Sequence, residues 1–386
     1  MAFPRPNEYN EAIQNLRSTM SDAELREGEA AVNALGMPMP SSGNFADVYK
    51  VHCPATGNTW AVKCFTREMA GLKERYRGIS EHLQKVPFGF MVEFHYVEPG
   101  IRIGKQSYPF LKMRWVEGLR LNQFVCDYLD KPKTLQNLLP LWLRLSDKLR
   151  KAKIAHGDLQ HGNVLLVPVP ETGQLSLKLI DYDGMYVPAL AKTKSGEVGH
   201  PCFQHPQRIK EAIYNADVDR FSHLAIYTAI QAVIAGKREL WDKFDNGDNL
   251  LFRESDFTNP ETSELFRRLW ETPSHAELHA LVGRLILACK RPLNQCPYLD
   301  ELVFNGVVLP LAPELEETVS ATLGAAGPAA QAPSFHPSLG GMLTAPLLPL
   351  NQVPATVLSS GMAPQWTAVP ALTYPLAAPG LADLLN

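Results

Sequence analysis

Residues 154–166 read IAHGDLQHGNVLL, a polar knot from His156 to Asn163 set between apolar segments. A surface turn accounts for Gly157, Asp158, Gly162 and Asn163, because those residue types make local hydrogen bonds or accept positive φ. It does not account for a second carboxylate that ends another apolar run, LSLKLIDYDG at residues 175–184. Two acids that each follow a short apolar segment, with an amide five residues after the first, read as one polar site rather than two unrelated turns.

The chain around the knot is organised for such a site. Upstream, FADVYKVHC, GNTWAVKCF, GFMVEFHYV, GIRIGK and YPFLKMRWV are short, rich in β-branched and aromatic residues, and separated by Pro, Gly and Asn. That pattern predicts an antiparallel sheet, interrupted by one helix in REMAGLKERYRGISEHLQKV. After Gly118 the apolar period turns helical in TLQNLLPLWLRLSDKLRKAK, DVDRFSHLAIYTAIQAVIAG, SELFRRLWE and AELHALVGRLILACK, and the knot and the LIDYDG run are expected there as a strand pair. The expected class is α+β, a small β lobe followed by a larger helical lobe with a cleft where they meet. Residues 1–37 read as a helical extension, with Ser21 and Glu24 as a capping box and Gly36 as a stop.

Composition narrows the partners. The 386 residues are 45% hydrophobic and 20% charged, with a formal net charge of −3, which gives no electrostatic reason to expect nucleic acid or a membrane surface as partner. The six cysteines are scattered without C-x-x-C or metal-ligand spacing, so reduced thiols in a cytoplasmic setting are expected. The start, MAFPRPNEYNEA, lacks the basic and apolar regions of a signal peptide, and no apolar run is long enough to span a bilayer. All 37 basic residues precede Pro310, and Thr318 to Ala382 contains no charged residue at all. Residues 310–386 therefore read as an Ala/Pro/Leu-rich low-complexity tail in which, from Thr318 on, no regular element is expected. Its last stretch, with Trp366, Tyr374 and Leu384, has the makings of a docking peptide, although a spacer is the plainer reading.

Phosphoryl transfer from a nucleotide requires a cation on the phosphates, oxygen ligands for metal ions, and a carboxylate that orients the attacking hydroxyl. Lys63, on a predicted strand in WAVKCF, supplies the first; Asn163 and Asp181 supply metal ligands; Asp158 is the candidate base. One loop presents the base and a ligand side by side, and a neighbouring strand delivers Asp181.

At this point the chain resembles a eukaryotic-type (Hanks-type) protein kinase domain of a bacterial kind. The motif series V-A-I-K, H-R-D-L-x-x-x-N, D-F-G and A-P-E appears as WAVK, HGDLQHGN, IDYDG and GHPCFQHPQ, covering roughly residues 38–300. The resemblance implies an N-lobe over 38–115 and a C-lobe over 116–309. It implies Mg²⁺ or Mn²⁺ with ATP, a serine or threonine of a protein as acceptor, and nucleotide contacts from Gly43, Phe45, Val48, Ala61, Lys63, Met113 and Val116. Met113 would stand as gatekeeper, and Asp217 of ADVDRF would brace the catalytic loop. The wording, including FDNGDNLLF, is also similar to a bacterial kinase-like group found alongside von Willebrand A-domain proteins and phosphatases, which implies such partners.

Departures from the pattern sharpen the expectations. The phosphate loop keeps one glycine, Gly43; Gly157 replaces the arginine of H-R-D; Gln160 and Gln207 replace a lysine and a glutamate. No glutamate falls at the helix position that should meet Lys63. Glu74 and Glu81 are nearest, and Ile79 takes the core-facing slot. Asp183 occupies the glycine position of D-F-G, to ligate a second metal or to cap the turn at Gly184. His156 reads as structural. His161, His200 and His205 fit no metal spacing, and DNGDN at 245–249 reads as a capped turn rather than a calcium loop. Two rivals share the motifs. One is a small-molecule phosphotransferase of the aminoglycoside or choline kinase type; the other is a pseudokinase scaffold.

Overall fold

The structure is a computed structural model that describes residues 3–324 except 44, 69–70, 87–88, 170–173, 196 and 273–274. Its first half is built on an antiparallel sheet whose long strands are β1 (Ala46–Cys53), β2 (Asn58–Phe65), β3 (Phe94–Ile103) and β4 (Gln106–Arg114), in the order β1-β2-β4-β3. Strict alternation divides their side chains between two cores. Tyr49, Val51 and Cys53 of β1, Trp60, Val62 and Cys64 of β2, and Phe110 of β4 pack on the N-terminal segment through Tyr9, Ile13, Leu16 and Leu25. The alternate residues, Ala46, Phe65, Leu111 and Met113, join a second core that runs on into the helical half. Ala61 and Lys63 therefore face that second side, and Lys63 pairs in register with Val48 and Leu111.

The N-terminal segment is less helical than the expected helical extension. It forms a helix α1 (Pro6–Gln14), short turns of helix at Leu16–Thr19 and Ala23–Arg26, and a strand Glu29–Ala30 that pairs with β1. Asp22, not Ser21, caps the turn at Ala23–Arg26, accepting from the Leu25 amide at 2.9 Å, while the Ser21 hydroxyl donates to the Pro99 carbonyl. Sheet pairing and the Tyr9 hydroxyl on the Phe65 carbonyl, at 2.6 Å, outweigh helical propensity here.

Helix α2 (Leu72–Lys85) lies on the inner face of the sheet through the stripe Leu72, Tyr76, Ile79. The helical half contains α3 (Leu121–Asp127), α4 (Leu138–Lys151), α5 (Arg220–Phe244), α6 (Glu264–Glu271) and α7 (Ala276–Lys290). A three-stranded antiparallel sheet sits beside them: Leu119–Arg120, then β5 (Val164–Pro168), then β6 (Leu175–Leu179), with Val164 opposite Leu179. The polar knot and the IDYDG turn thus leave the same ends of two paired strands, as their sequence pattern predicts.

The tail expectation needs correction at its start. Residues Pro313–Gly324 form a helix, α8, which buries Val319 and Leu323 against the main core. About three turns, acidic at Glu314, Glu316 and Glu317, are held by the burial of Val319 and Leu323, which composition alone does not reveal. Trp366, Tyr374 and Leu384 lie outside the described residues. Among the described residues no helix is long and apolar enough to cross a membrane.

Candidate functional site

Lys63 is the centre. Its ammonium donates to Asp181 Oδ1 at 2.7 Å and to Asp183 Oδ2 at 2.6 Å, joining strand β2 to a turn 118 and 120 residues further along the chain. Burial alone would strip Lys63 of its proton; the two carboxylates reverse that and raise its pKa, so it stays a cation. Burial likewise works to protonate Asp181, but Lys63 holds that carboxyl below the usual range.

The two acids differ in exposure. The Asp181 side chain is 44% exposed and that of Asp183 only 4%. Tyr182 between them is fully buried: its hydroxyl accepts from the Val92 amide at 2.7 Å, donates to the Leu179 carbonyl at 2.9 Å, and its ring meets Phe94 edge-on. With Tyr182 anchored and Asp181 at φ +64°, both flanking carboxylates turn toward Lys63. Asp183 does not cap the turn. One of its oxygens is on Lys63, and the other accepts from the hydroxyl of Tyr76 on α2.

No acid of α2 reaches Lys63. Glu74 and Glu81 are both exposed, and the helix presents Tyr76 and Ile79 inward instead. Sequence reasoning missed Tyr76 because a tyrosine in an apolar stripe reads as core. Its ring is core, stacked on Tyr96 and edge-on to Phe94; only its hydroxyl is not. Arg75, the preceding residue, is also buried and donates to the carbonyls of Met185, at 3.3 Å, and Lys194, at 2.7 Å, and to the Tyr214 hydroxyl at 2.9 Å. The helix is thereby tied to the chain that follows Asp183.

Three donors hold Asp158, two of them from the knot itself. Asp158 Oδ2 accepts from Gln160 Nε2 at 3.0 Å and Asn163 Nδ2 at 2.9 Å, and Oδ1 accepts from the His200 amide at 2.7 Å. Asn163 spends its amide nitrogen on Asp158, so its amide oxygen is the end suited to a cation. Its backbone carbonyl accepts from the Ile180 amide at 3.0 Å, which places the knot directly beside the residue before Asp181. His156 is structural, as its setting suggested: Nε2 lies 2.9 Å from the Ile180 carbonyl.

The absence of an arginine at 157 has a steric reason. Gly157 has φ +81°, and a Cβ there would stand 2.0 Å from the Gly184 carbonyl oxygen. The knot and the IDYDG turn pack so closely that no side chain fits. Its carbonyl accepts from Arg208, a buried guanidinium, at 2.5 Å.

The brace is Asp219, not Asp217. Asp219 is 4% exposed and accepts from the backbone amides of His156 and Gly157, the latter at 3.1 Å. Asp217 instead faces outward, 3.2 Å from Arg220, and accepts from the Tyr298 hydroxyl. The two acids of DVD are two residues apart, and only the packing of Val218 and the start of α5 decides which turns inward.

Glu197 is a further acid near the knot that sequence reading passed over. It sits against Gly184, whose added Cβ would lie 2.7 Å from Glu197 Oε1. Burial first, then the charges of Asp181, Asp158 and Asp183, push its pKa up to about 8, so it carries a proton at neutral pH.

The remaining candidates line the same side of the sheet. Ala61 and Met113 are cross-strand partners, Val116 follows β4, and all three pack on the main core. Val48 is half-buried opposite Lys63, Phe45 is half-buried under the Arg67 guanidinium at 5.5 Å, and Gly43 is exposed in the hairpin between Ser41–Ser42 and β1. His161, His200 and His205 have separate settings: His161 is held neutral by burial, its pKa down to about 4; His200 caps the turn Pro201–Phe203; His205 meets the Ala288 carbonyl at 2.9 Å. Asn249 closes DNGDN as a capped turn, donating to the Phe244 and Leu251 carbonyls.

Among the described residues no group of three or more His, Cys, Asp or Glu side chains has the geometry to hold a metal ion. The donor set of Asp181 and the Asn163 amide oxygen fits a hard cation that brings other oxygens with it, as Mg²⁺ on phosphates does. No protein-family model matches this chain, and no curated protein matches it.

Proposed function

We propose that the chain is an ATP-dependent protein kinase with a bilobal kinase-like fold, transferring the γ-phosphoryl group to a serine or threonine hydroxyl. The observation that carries the reading is the contact of Lys63 with Asp181 at 2.7 Å, beside a knot in which Asp158 and Asn163 share a hydrogen bond. On this reading a phosphate-binding cation, a half-exposed carboxylate and a positioned base would act on one nucleotide, with Ala61, Met113 and Val116 toward the adenine and the knot toward the acceptor. Asp158 would take the proton of the attacking hydroxyl as its oxygen bonds to the γ-phosphorus and the bond to the β-phosphate oxygen breaks, releasing ADP. Lys63 would leave its carboxylates in part for the α- and β-phosphates. Asp181 and Asn163 would hold Mg²⁺ or Mn²⁺, which neutralises the phosphate oxygens when bound. Proteins carrying von Willebrand A domains, and phosphatases, are the acceptors to try first.

The test is incubation with γ-labelled ATP and Mg²⁺ or Mn²⁺, alone and with the products of neighbouring genes, followed by mass spectrometry of modified residues. Asp158→Asn should abolish transfer while leaving nucleotide affinity nearly unchanged, because the base does not touch the adenine. Wild-type turnover by Asp158→Asn would overturn the assignment. Transfer only to small alcohols such as choline or an aminoglycoside would move the substrate class, and nucleotide binding without transfer to any acceptor would make the chain a scaffold.

A further inference from the structure

Lys63 has two anionic partners, and they are not equivalent. Asp181 is half-exposed and belongs to the donor set that suits a cation; Asp183 is buried and points both its oxygens at protein donors, Lys63 Nζ at 2.6 Å and the Tyr76 hydroxyl. When Asp181 turns to a metal, Asp183 is the partner left to hold the ammonium in place. A carboxylate oriented by one lysine alone can swing with it. A second donor from a rigid helix fixes the carboxylate and, through it, the lysine.

We infer that Tyr76 and Asp183 form the positioning relay for Lys63, a helix hydroxyl acting through a turn carboxylate, and that α2 controls nucleotide handling through this hydroxyl rather than through a charge of its own. The inference rests on the kinase reading of the site. Three observations carry it. The Tyr76 ring is locked by Tyr96, Phe94 and Phe65 at centroid distances of 5.8, 5.7 and 6.3 Å, so its hydroxyl has a fixed direction. Asp183 fills the position where the motif would place glycine, and a glycine there would leave the Tyr76 hydroxyl buried without an acceptor. Arg75 clamps the same helix turn to the carbonyls of Met185 and Lys194, so α2 is tied directly to the segment beyond Asp183. Burial, and next the charge of Asp183, raise the Tyr76 hydroxyl well above the ordinary tyrosine range, so it remains a donor throughout the working pH range.

The experiment uses the full chain as wild type, Tyr76→Phe, Asp183→Asn and the double variant. It measures kcat, KM for ATP, the affinity for a fluorescent ATP analogue, and the melting temperature. Losing the relay hydrogen bond should weaken analogue binding and raise KM for ATP about tenfold in Tyr76→Phe, with KM for the acceptor unchanged. Tyr76→Phe should add nothing further in the Asp183→Asn background, because both act through one carboxylate. A merely structural tyrosine would lower the melting temperature with KM for ATP unmoved, and that result overturns the inference, as would additive effects in the double variant. Should wild type bind the analogue but transfer nothing, the binding arm alone decides the relay, and only the kinase reading fails. No binding by wild type sinks both.

Discussion

Two lysines one strand apart make the most instructive comparison in the molecule. Lys63 on β2 pairs in register with Leu111 on β4, and the next residue, Lys112, points to the opposite face of the same sheet. Each ammonium is buried, and each holds two carboxylates within 3.0 Å: Lys63 has Asp181 and Asp183, and Lys112 has Asp22 and Glu24. Lys112 also lies over the Trp60 ring, 4.4 Å from its centroid. The partners of Lys112 come from the N-terminal segment, whose own strand and helices are hydrogen-bonded to the sheet, and both are largely covered. The partners of Lys63 come from a turn 118 and 120 residues further along the chain, and one of them is half-exposed and in a left-handed backbone conformation. Identical chemistry serves as a staple on one face and as a site on the other. What differs is whether the anions can be exchanged for something else.

The largest effect is expected at Lys63. Lys63→Met should lower phosphoryl transfer by about a hundredfold or more, since the charge stabilisation of the phosphates is lost. The chain should remain folded by circular dichroism, and near-wild-type transfer would break the comparison. Lys112→Met should do the reverse. Removing the cation leaves Asp22 and Glu24 partly buried and unpaired, costing about 2 kcal/mol in urea unfolding after allowing for their exposure, with turnover within about twofold of wild type. If turnover fell with stability intact, the outer face would be functional too.

The acid limb sharpens the contrast. Burial alone would raise the Glu24 carboxyl, but the Lys112 ammonium and the Thr56 and Asn58 side chains hold it down to about 2, against an ordinary value of 4.5. A depressed carboxyl contributes stability that is fully present above its unfolded pKa and is lost as pH falls toward the folded one. Glu24→Gln should therefore be less stable than wild type at pH 7, and that gap should shrink as the pH is lowered from about 4.5 towards 2, read as denaturant midpoints. A gap that stayed constant down to pH 2 would assign the loss to packing instead.

The smallest effect belongs to the far end, where neither lysine is involved. Truncation after Gly324 should shift the melting temperature by no more than about 2 °C, whereas truncation before Pro313 exposes the surface that Val319 and Leu323 cover and should lower it by about 4 °C or more. Equal shifts in the two truncations would mean that α8 adds nothing to the core.

Much of this arrangement was readable in the residues. Short runs rich in β-branched and aromatic residues, punctuated by Pro, Gly and Asn, located β1, β2 and β4, and apolar helical stretches located α2, α4, α5, α6 and α7; both faces of the sheet are buried, so composition and punctuation carried the strands. The polar knot was readable because glycine, asparagine and aspartate between two apolar runs have few structural excuses. The N-terminal segment was read as helical throughout, with its cap at Ser21, because the pairing of Glu29–Ala30 and the capping by Asp22 depend on contacts with the sheet. The first turns of the tail were misread because composition says nothing of a groove waiting on α7.

The error of registration at the brace occurred at an Asp-x-Asp pair, and a second such pair divides its burial unequally. In DVD the inward acid is Asp219, and in IDYD both acids turn inward, with Asp183 more deeply buried than the one that the motif favours. Local pattern alone marks the residue types that gather around Lys63: a strand lysine, a loop carboxylate and amide, and a turn with two acids. Only the tertiary structure decided which partners they take. An acid two residues from another has the same local signature, and the choice between solvent, an amide pair or a lysine is made by elements 62 to 120 residues away. So too with Tyr76: its ring obeys the helix period, but the acceptor for its hydroxyl exists only because the chain returns at residue 183.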